Sequence, residues 1–173
     1  MLQLPENLPD LLRTAFGDNT EKLISVAGVK SDKDAKVLFN DAFSAVCFTY
    51  PHDVWTKNVA AQNKPVYEYI FTKENGEIST NHSGELIYAY RNVPKSKNYD
   101  SADYDLENTM SSYWVNFVKT GNHNGLRCDG EVLPEWKIFT ESNGSLLELG
   151  ESVKMRSDPY SYMYEYIVKA PKI

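Results

Sequence analysis

Several features that would assign this chain to a functional class are scarce or absent in its sequence. No apolar run approaches the roughly 20 residues that a membrane-spanning helix needs, so no membrane span is expected. The formal net charge is −6 and lysine and arginine form no cluster that would neutralise phosphates, which argues against a nucleic-acid partner. The three histidines, His52, His82 and His123, lie far apart and lack companion ligands at metal-binding spacing. The sequence therefore requires neither a metal nor any other cofactor.

Cysteine is also rare, since the chain has only Cys47 and Cys128. Cys47 falls on an apolar face of a predicted helix, beside Phe43 and Val46, and a buried thiol is expected there. Cys128 lies in a polar loop. A disulfide between the two cysteines is an alternative, but two free thiols are the favoured interpretation.

What the sequence does contain is the composition of a globular protein. Hydrophobic residues make up 42% and charged residues 24% of the chain, as is typical of folded domains. A chain of 173 residues is long enough to bury a core as one domain.

Apolar residues recur mostly at helical spacing. This spacing predicts helices over 8–16, 20–27, 34–47, 52–61 and 105–120, and a last helix from 157–159 to about 169. In the helix over 52–61, Val54, Trp55 and Val59 are expected to face the core. Asp105 is expected to cap the helix over 105–120, and Gly121 to end it. The apolar stripe of that helix consists of Leu106, Met110, Tyr113, Trp114, Phe117 and Val118.

Two segments are predicted to be β-strands, over 65–71 and 146–149. The order strand, helix, strand predicts that they pair in parallel, with the helix over 105–120 in the connection between them. An isolated parallel pair would leave an edge exposed, which is a physical reason to doubt that the chain folds stably alone.

His82 is the candidate reactive residue, because it lies on the loop between the first predicted strand and a short helix predicted near residues 85–89. A histidine there can act as a general base and then as a general acid, since its ordinary pKa lies near neutrality. The alternative is an exposed loop histidine with no role. His52 and His123 match no motif. Replacing any of the three histidines is expected to leave the fold intact.

From about Asp41 to the C-terminus, the chain resembles the end of the type B carboxylesterase and cholinesterase family. The histidine segment is similar to the family motif His-Gly-x-Glu-Leu-x-Tyr, and a later segment to Tyr-Trp-x-Asn-Phe-Ala-Lys-Thr-Gly. The family's Trp-Pro element is matched with its order changed. The matching segments are, in order, Asp41-Ala42-Phe43 with Tyr50-Pro51, Pro65-Val66-Tyr67-Glu68-Tyr69-Ile70-Phe71, His82-Ser83-Gly84-Glu85-Leu86-Ile87-Tyr88, Tyr113-Trp114-Val115-Asn116-Phe117-Val118-Lys119-Thr120-Gly121-Asn122 and Leu133-Pro134-Glu135-Trp136.

The resemblance implies an α/β fold, as the C-terminal portion of an α/β-hydrolase with mostly helices and about two parallel edge strands. Residues 1–173 would then be a partial carboxylesterase type B domain that carries the histidine loop. In this fold the catalytic residues follow the order nucleophile, acid, histidine, and the resemblance assigns the histidine to His82. The chain contains no Gly-x-Ser-x-Gly and no Gly-Gly oxyanion loop. The chain also shows no segment that resembles the family's acidic segment.

The function that the resemblance implies is hydrolysis of a small-molecule carboxylic ester by a complete enzyme. There a serine would attack the ester, and His82 would take its proton, protonate the leaving alcohol and activate water. The expected partner is the missing N-terminal portion or a second copy of the chain in a homo-oligomer. Glu85, one helical turn after His82, either orients the histidine loop or is an exposed helix glutamate.

The alternative function is a non-catalytic, cholinesterase-like module that acts by binding a partner. An in-frame Gly-x-Ser-x-Gly segment upstream of Met1 would favour the enzyme, whereas a true start with its own expression signals would favour the module.

Overall fold

The computed structural model describes residues 8–74, 80, 82–142 and 144–167. They form two compact units. The first unit joins the chain up to Asn58 with the chain from Pro159 onward, and the second runs from Val59 to Asp158. The helices are α1 (Leu8–Phe16), α2 (Thr20–Val26), α3 (Asp32–Ser44), α4 (Tyr50–Ala60), α5 (Leu86–Ala89) and α6 (Ser101–Thr120), and the strands are β1 (Tyr69–Phe71), β2 (Ser145–Leu149) and β3 (Val153–Ser157).

The first unit is helical, and its first two helices confirm the predictions over 8–16 and 20–27. A 3₁₀ turn, Gly17–Asn19, separates α1 from α2. At the start of α3, the Ser31 hydroxyl accepts a hydrogen bond from the backbone N–H of Asp34, as expected of an N-cap. The core of this unit consists of Leu12, Phe16, Leu23, Ala35, Leu38, Ala42, Ala45, Met163 and Tyr166.

The two helices predicted over 34–47 and 52–61 are one helical stretch, because a π-helical segment, Ala45–Thr49, joins α3 to α4. Pro51 lies just after this segment and has no N–H to donate, and a π turn is a place where a helix accommodates such a break in its hydrogen-bond ladder.

Several residues of this stretch are more exposed than their spacing predicted. Val54 and Trp55 were expected in the core, but 41% and 61% of their surfaces are exposed. Phe43 is likewise exposed, and so is Cys47, which corrects the expectation of a buried thiol. The π segment accounts for part of this difference, since its wider turn rotates later residues away from a uniform 3.6-residue repeat.

The second unit contains a three-stranded sheet in the order β1-β2-β3. β1 pairs with β2 in parallel, with Tyr69 opposite Leu147, and α6 lies in the connection between them. This confirms the predicted parallel pair and crossover. Of the segment predicted over 65–71, only the last three residues form a strand. Its earlier part still makes backbone hydrogen bonds, from Phe139 N–H to the Val66 carbonyl and from Leu147 N–H to the Glu68 carbonyl.

The strand β3 was not predicted. It pairs antiparallel with β2, with Leu149 opposite Val153 at the turn. Its charged residues are paired on the sheet, because the Arg156 guanidinium lies 2.8 Å and the Lys154 ammonium 3.8 Å from the Glu148 carboxylate. The helix predicted to open at 157–159 is also wrong as stated, since Ser157 ends β3 and a 3₁₀ helix, Ser161–Tyr166, follows in the first unit. The end of that prediction, near residue 169, lies outside the described residues.

The longest helix, α6, begins four residues before the predicted start. Asp100, not Asp105, is the N-cap, and it forms a capping box with Asp103. The helix ends as predicted at Gly121, whose φ of 73° lies in the left-handed region that favours glycine. The predicted apolar stripe is buried at its start, but 84% of Val118 is exposed. The core of this unit consists of Tyr88, Val93, Leu106, Met110, Tyr113, Leu133, Trp136, Leu147 and Leu149.

Candidate functional site

The candidate site is the turn that begins at His82 and leads into α5, and we call residues 82–85 the histidine turn. The His82 side chain is exposed. Ser83 has a φ of 67°, in the left-handed region that non-glycine residues rarely adopt. The resembling family has glycine at this position. The turn therefore keeps a conformation that suits glycine although a serine occupies it.

Glu85 ties the histidine turn to the sheet. Its side chain is half-buried and hydrogen-bonded to the Tyr69 hydroxyl on β1. Burial, together with the charge and hydrogen bond of Glu85, raises the pKa of Tyr69 to about 12. Tyr69 therefore keeps its proton at neutral pH and donates it to the carboxylate. This contact joins the start of α5 to β1.

A polar cluster of three buried residues and one exposed glutamate is formed by residues that precede and follow the histidine turn in the sequence. We call Lys73, Tyr88, Asp103 and Glu151 the charge cluster. The Tyr88 hydroxyl donates to Asp103 Oδ1 at 2.7 Å, and the Lys73 ammonium lies 3.7 Å from the same oxygen. Lys73 also donates to Glu151 Oε1 at 2.6 Å. Sequence reasoning missed this cluster, because it placed the start of α6 at Asp105 and so left Asp103 outside the helix.

The charges in this cluster stabilise one another. Burial alone would lower the pKa of Lys73, but the hydrogen bond with Glu151 and the charges of Asp103 and Asp100 outweigh it and raise that pKa. Burial and the hydrogen bond to Asp103 raise the pKa of Tyr88. Both groups are therefore protonated at neutral pH and act as donors to carboxylates.

His123 is not an ordinary loop histidine. Only 9% of its surface is exposed, and its ring stacks between Phe117, at 4.4 Å between ring centroids, and Trp136, at 4.1 Å. Nδ1 lies 3.2 Å from the Tyr113 carbonyl, to which it donates as the neutral Nδ1–H tautomer. Burial outweighs this hydrogen bond and lowers the pKa of His123 to about 4. The premise that His123 is a loop histidine with little packing is therefore wrong, and the expectation that its replacement leaves the fold intact loses its basis.

Other features of the described residues do not join the histidine turn. His52 is exposed on α4 in the first unit. Among the described residues no group of His, Cys, Asp and Glu is arranged to hold a metal ion. A cavity of about 620 Å³ beside α5 and α6 has Tyr90, Trp114 and Leu126 in its walls, and neither His82 nor Glu85 lines it. Within the part of the chain that the structure describes, no helix is both long and apolar enough to cross a membrane.

Comparison with known proteins gives a consistent result. The model of a family described as the carboxylesterase family matches residues 6–167. Carboxylesterase 1C of Rattus norvegicus is 22% identical over 156 residues, covering 83% of this chain and 27% of the rat protein. The cocaine esterase of Homo sapiens is 24% identical over 152 residues, covering 82% of this chain and 24% of that protein.

The same similarity is found among solved structures. A carboxylesterase of Geobacillus stearothermophilus superposes with a TM-score of 0.72 at 21% sequence identity, covering 93% of this chain and 34% of that chain. This likeness shows that the fold is that of part of an α/β-hydrolase. The chain spans only about a quarter of the length of the two curated relatives named above.

Proposed function

The chain belongs to the carboxylesterase family, and from this we propose that it forms the C-terminal portion of a serine carboxylic-ester hydrolase, in which His82 is the general acid and base. The observation that carries the proposal is the motif histidine in an exposed turn between β1 and α5. In open α/β sheets, ligands bind outside the carboxyl ends of the strands. The segment that contains His82 follows the carboxyl end of β1, a strand that pairs in parallel with β2.

The chemistry assigned to His82 consists of proton transfers at an imidazole nitrogen. In the proposed reaction His82 takes the proton of a serine hydroxyl as the oxygen attacks the ester carbonyl. The same imidazole then gives this proton to the leaving alcohol, so that the acyl-enzyme forms. In the second half of the reaction it takes a proton from water, which attacks the acyl group, and returns that proton to the serine. The substrate class is a small-molecule carboxylic ester.

The other catalytic groups must come from another polypeptide segment, because the chain has no Gly-x-Ser-x-Gly and no pair of adjacent glycines. In this fold an oxyanion hole consists of backbone N–H groups next to the nucleophile and in an upstream loop. The proposed partner is therefore an upstream carboxylesterase portion that contains both. Glu85 has the supporting role, since its contact with Tyr69 limits the orientations open to the histidine turn.

The proposal is tested by adding the missing groups. The 173-residue chain alone should hydrolyse p-nitrophenyl acetate no faster than an exposed imidazole does. Fused to or co-expressed with an upstream portion that has the serine and oxyanion loop, it should show saturable hydrolysis. In that assembly His82→Ala should lower kcat by about three or more orders of magnitude, the loss expected for a member of a catalytic triad. Because the His82 side chain is exposed, the fold should be unchanged.

His52→Ala is the matched control, since His52 is also an exposed histidine but lies on α4 and in no matching motif. It should leave kcat within about twofold. The proposal is contradicted if His82→Ala keeps most of the activity, or if the lone chain reacts stoichiometrically with an organophosphate. An assembly that is never active, together with tight binding of a protein partner by the lone chain, would favour the non-catalytic module.

A further inference from the structure

The Asp103 carboxylate is the point at which the charge cluster converges. Only 3% of its side chain is exposed. Oδ1 accepts the Tyr88 hydroxyl at 2.7 Å and lies 3.7 Å from the Lys73 ammonium, while Oδ2 accepts the backbone N–H of Asp100 at 2.9 Å. A buried carboxylate is stable only when its oxygens are paired, and here both oxygens are.

Two of the residues that contact Asp103 lie on either side of His82 in the sequence: Lys73 before it and Tyr88 after it. Lys73 lies two residues after the end of β1, and its carbonyl accepts a hydrogen bond of 3.1 Å from the hydroxyl of Thr80. Tyr88 lies on α5, six residues after His82. Asp103 lies in the first turn of α6, a helix of 20 residues that packs in the core of the second unit. Lys73, which precedes His82 in the sequence, and Tyr88, which follows it, are therefore both held by one buried carboxylate.

We propose that Asp103 is a positioning residue for His82. Its carboxylate holds Lys73 and Tyr88 together and thereby fixes the orientation of the His82 imidazole toward the substrate. The inference rests on the proposed function, because the direction of His82 matters only if its imidazole transfers protons. An error of about 1 Å in the position of a reacting group can reduce a rate by about a hundredfold. The His82 side chain is exposed, so buried supports on either side of it in the sequence can add to the accuracy with which it is held.

The contacts within the charge cluster indicate which substitutions remove one contact and leave the others in place. Asp103→Asn removes the charge that faces Lys73 and leaves that ammonium with Glu151, whose side chain is 69% exposed. Tyr88→Phe removes one hydroxyl and keeps both the ring and the Lys73–Asp103 pair. Asp105→Asn is the matched control, since Asp105 lies two residues further along the same helix and pairs with Arg127 at 2.6 Å.

The first measurement needs no catalysis and uses the full 173-residue chain. Amide hydrogen exchange reports on the backbone hydrogen bonds that close the histidine turn and α5, from Leu86 N–H to the Ser83 carbonyl and from Ala89 N–H to the Glu85 carbonyl. In Asp103→Asn and in Tyr88→Phe these amides should exchange at least about tenfold faster. The amides of β2 should keep their rates in Tyr88→Phe, and all rates should be unchanged in Asp105→Asn.

The second measurement uses the active assembly with an upstream portion. Asp103→Asn should lower kcat about 10- to 100-fold with KM within about twofold, because misdirection of a base affects the transition state more than substrate binding. A purely structural role of Asp103 would instead reduce the amount of folded protein and leave kcat per folded molecule unchanged.

The outcomes distinguish this inference from the function on which it rests. Unchanged exchange at α5 in Tyr88→Phe overturns the inference, even if Asp103→Asn unfolds the chain. Equal kcat values for folded Asp103→Asn and the parent assembly overturn it as well. If instead the parent assembly is inactive while both variants loosen α5 selectively, the anchoring holds and the proposed function fails.

Discussion

Acidification from pH 7 to pH 5 should destabilise the second unit through His123. The folded unit keeps this imidazole neutral, because the ring lies among Phe117, Trp136 and other aromatic side chains with little access to water. Its pKa is lowered from 6.5 to about 4. In the unfolded chain the same group has an ordinary pKa and takes up a proton as the pH falls below about 6.5.

The sign and size of the effect follow from proton linkage. Because the folded-state pKa is the lower one, the unfolded state binds more protons between pH 6.5 and 4, and the free energy of unfolding falls over that range. A difference of one pKa unit corresponds to about 1.4 kcal/mol, so the loss is about 2 kcal/mol by pH 5 and about 3 kcal/mol in the limit below pH 4. The contribution is fully present above pH 6.5.

The assay is urea unfolding between pH 7 and pH 4.5, followed by tryptophan fluorescence. A Trp55→Phe background removes the tryptophan of the first unit, so that the signal reports Trp114 and Trp136 of the second. His123→Phe is the comparison, since it keeps an aromatic ring between its neighbours but cannot be protonated. It should lose the hydrogen bond to the Tyr113 carbonyl at every pH, at about 1 kcal/mol.

The free-energy difference between parent and variant should therefore shift by about 2 kcal/mol in favour of His123→Phe between pH 7 and pH 5. Carboxylates that titrate in this range affect both proteins alike and cancel in the difference. A constant difference across the range would refute the reasoning, because it would mean that the folded protein accepts a proton on His123 as easily as the unfolded chain does.

Two further predictions concern Gly150 and the cysteines. Gly150→Ala would place a methyl group against the Thr72 hydroxyl oxygen, so it should lower the free energy of unfolding by about 1–3 kcal/mol. Adding Thr72→Ala should restore most of this loss. A double variant that is no more stable than Gly150→Ala would contradict the proposed clash. Cys47 and Cys128 are both exposed free thiols. Both should react with iodoacetamide in the native chain without prior reduction, whereas no label before reduction and two labels after it would indicate a disulfide.

The elements that the sequence predicted well are those whose boundaries are determined by residues a few positions away in the chain. The end of α6 depends on Gly121, and the boundaries of α1 and α2 depend on local apolar spacing and a Gly-Asp-Asn break. The parallel pairing of β1 with β2 follows from the order strand, helix, strand, because a long connection that contains a helix joins parallel strands. Local rules of this kind need no knowledge of what a side chain contacts.

The elements that were missed depend on distant partners. β3 has the alternating pattern Val153-Lys154-Met155-Arg156, but its charged residues suit a strand only because Glu148 of β2 lies beside them. Asp103 is buried because Tyr88 and Lys73 supply donors from other parts of the chain. No spacing rule signals either contact.

The burial of His123 also depends on distant residues and could not be predicted from its own segment. It follows Gly121 in a polar segment, and this composition predicts an exposed loop. The ring is buried because aromatic side chains from three separate segments surround it, namely Tyr67, Trp114 and Phe117 of α6, and Trp136. The density of aromatic residues in the sequence, at 13%, was the available sign that such a cluster could form, but it does not say around which residue.

The contrast between His82 and His123 bears on what the chain can do by itself. A buried histidine that stays neutral has no access to substrate, whereas an exposed one is reachable but surrounded by water. Large rate accelerations come from oriented reactants and from fixed dipoles in a site that excludes water. In the proposal, Glu85 and Asp103 of this chain supply the orientation, but the His82 side chain itself is exposed to solvent. The proposed catalysis therefore depends on an upstream portion not only for a serine but also for the walls that would enclose His82.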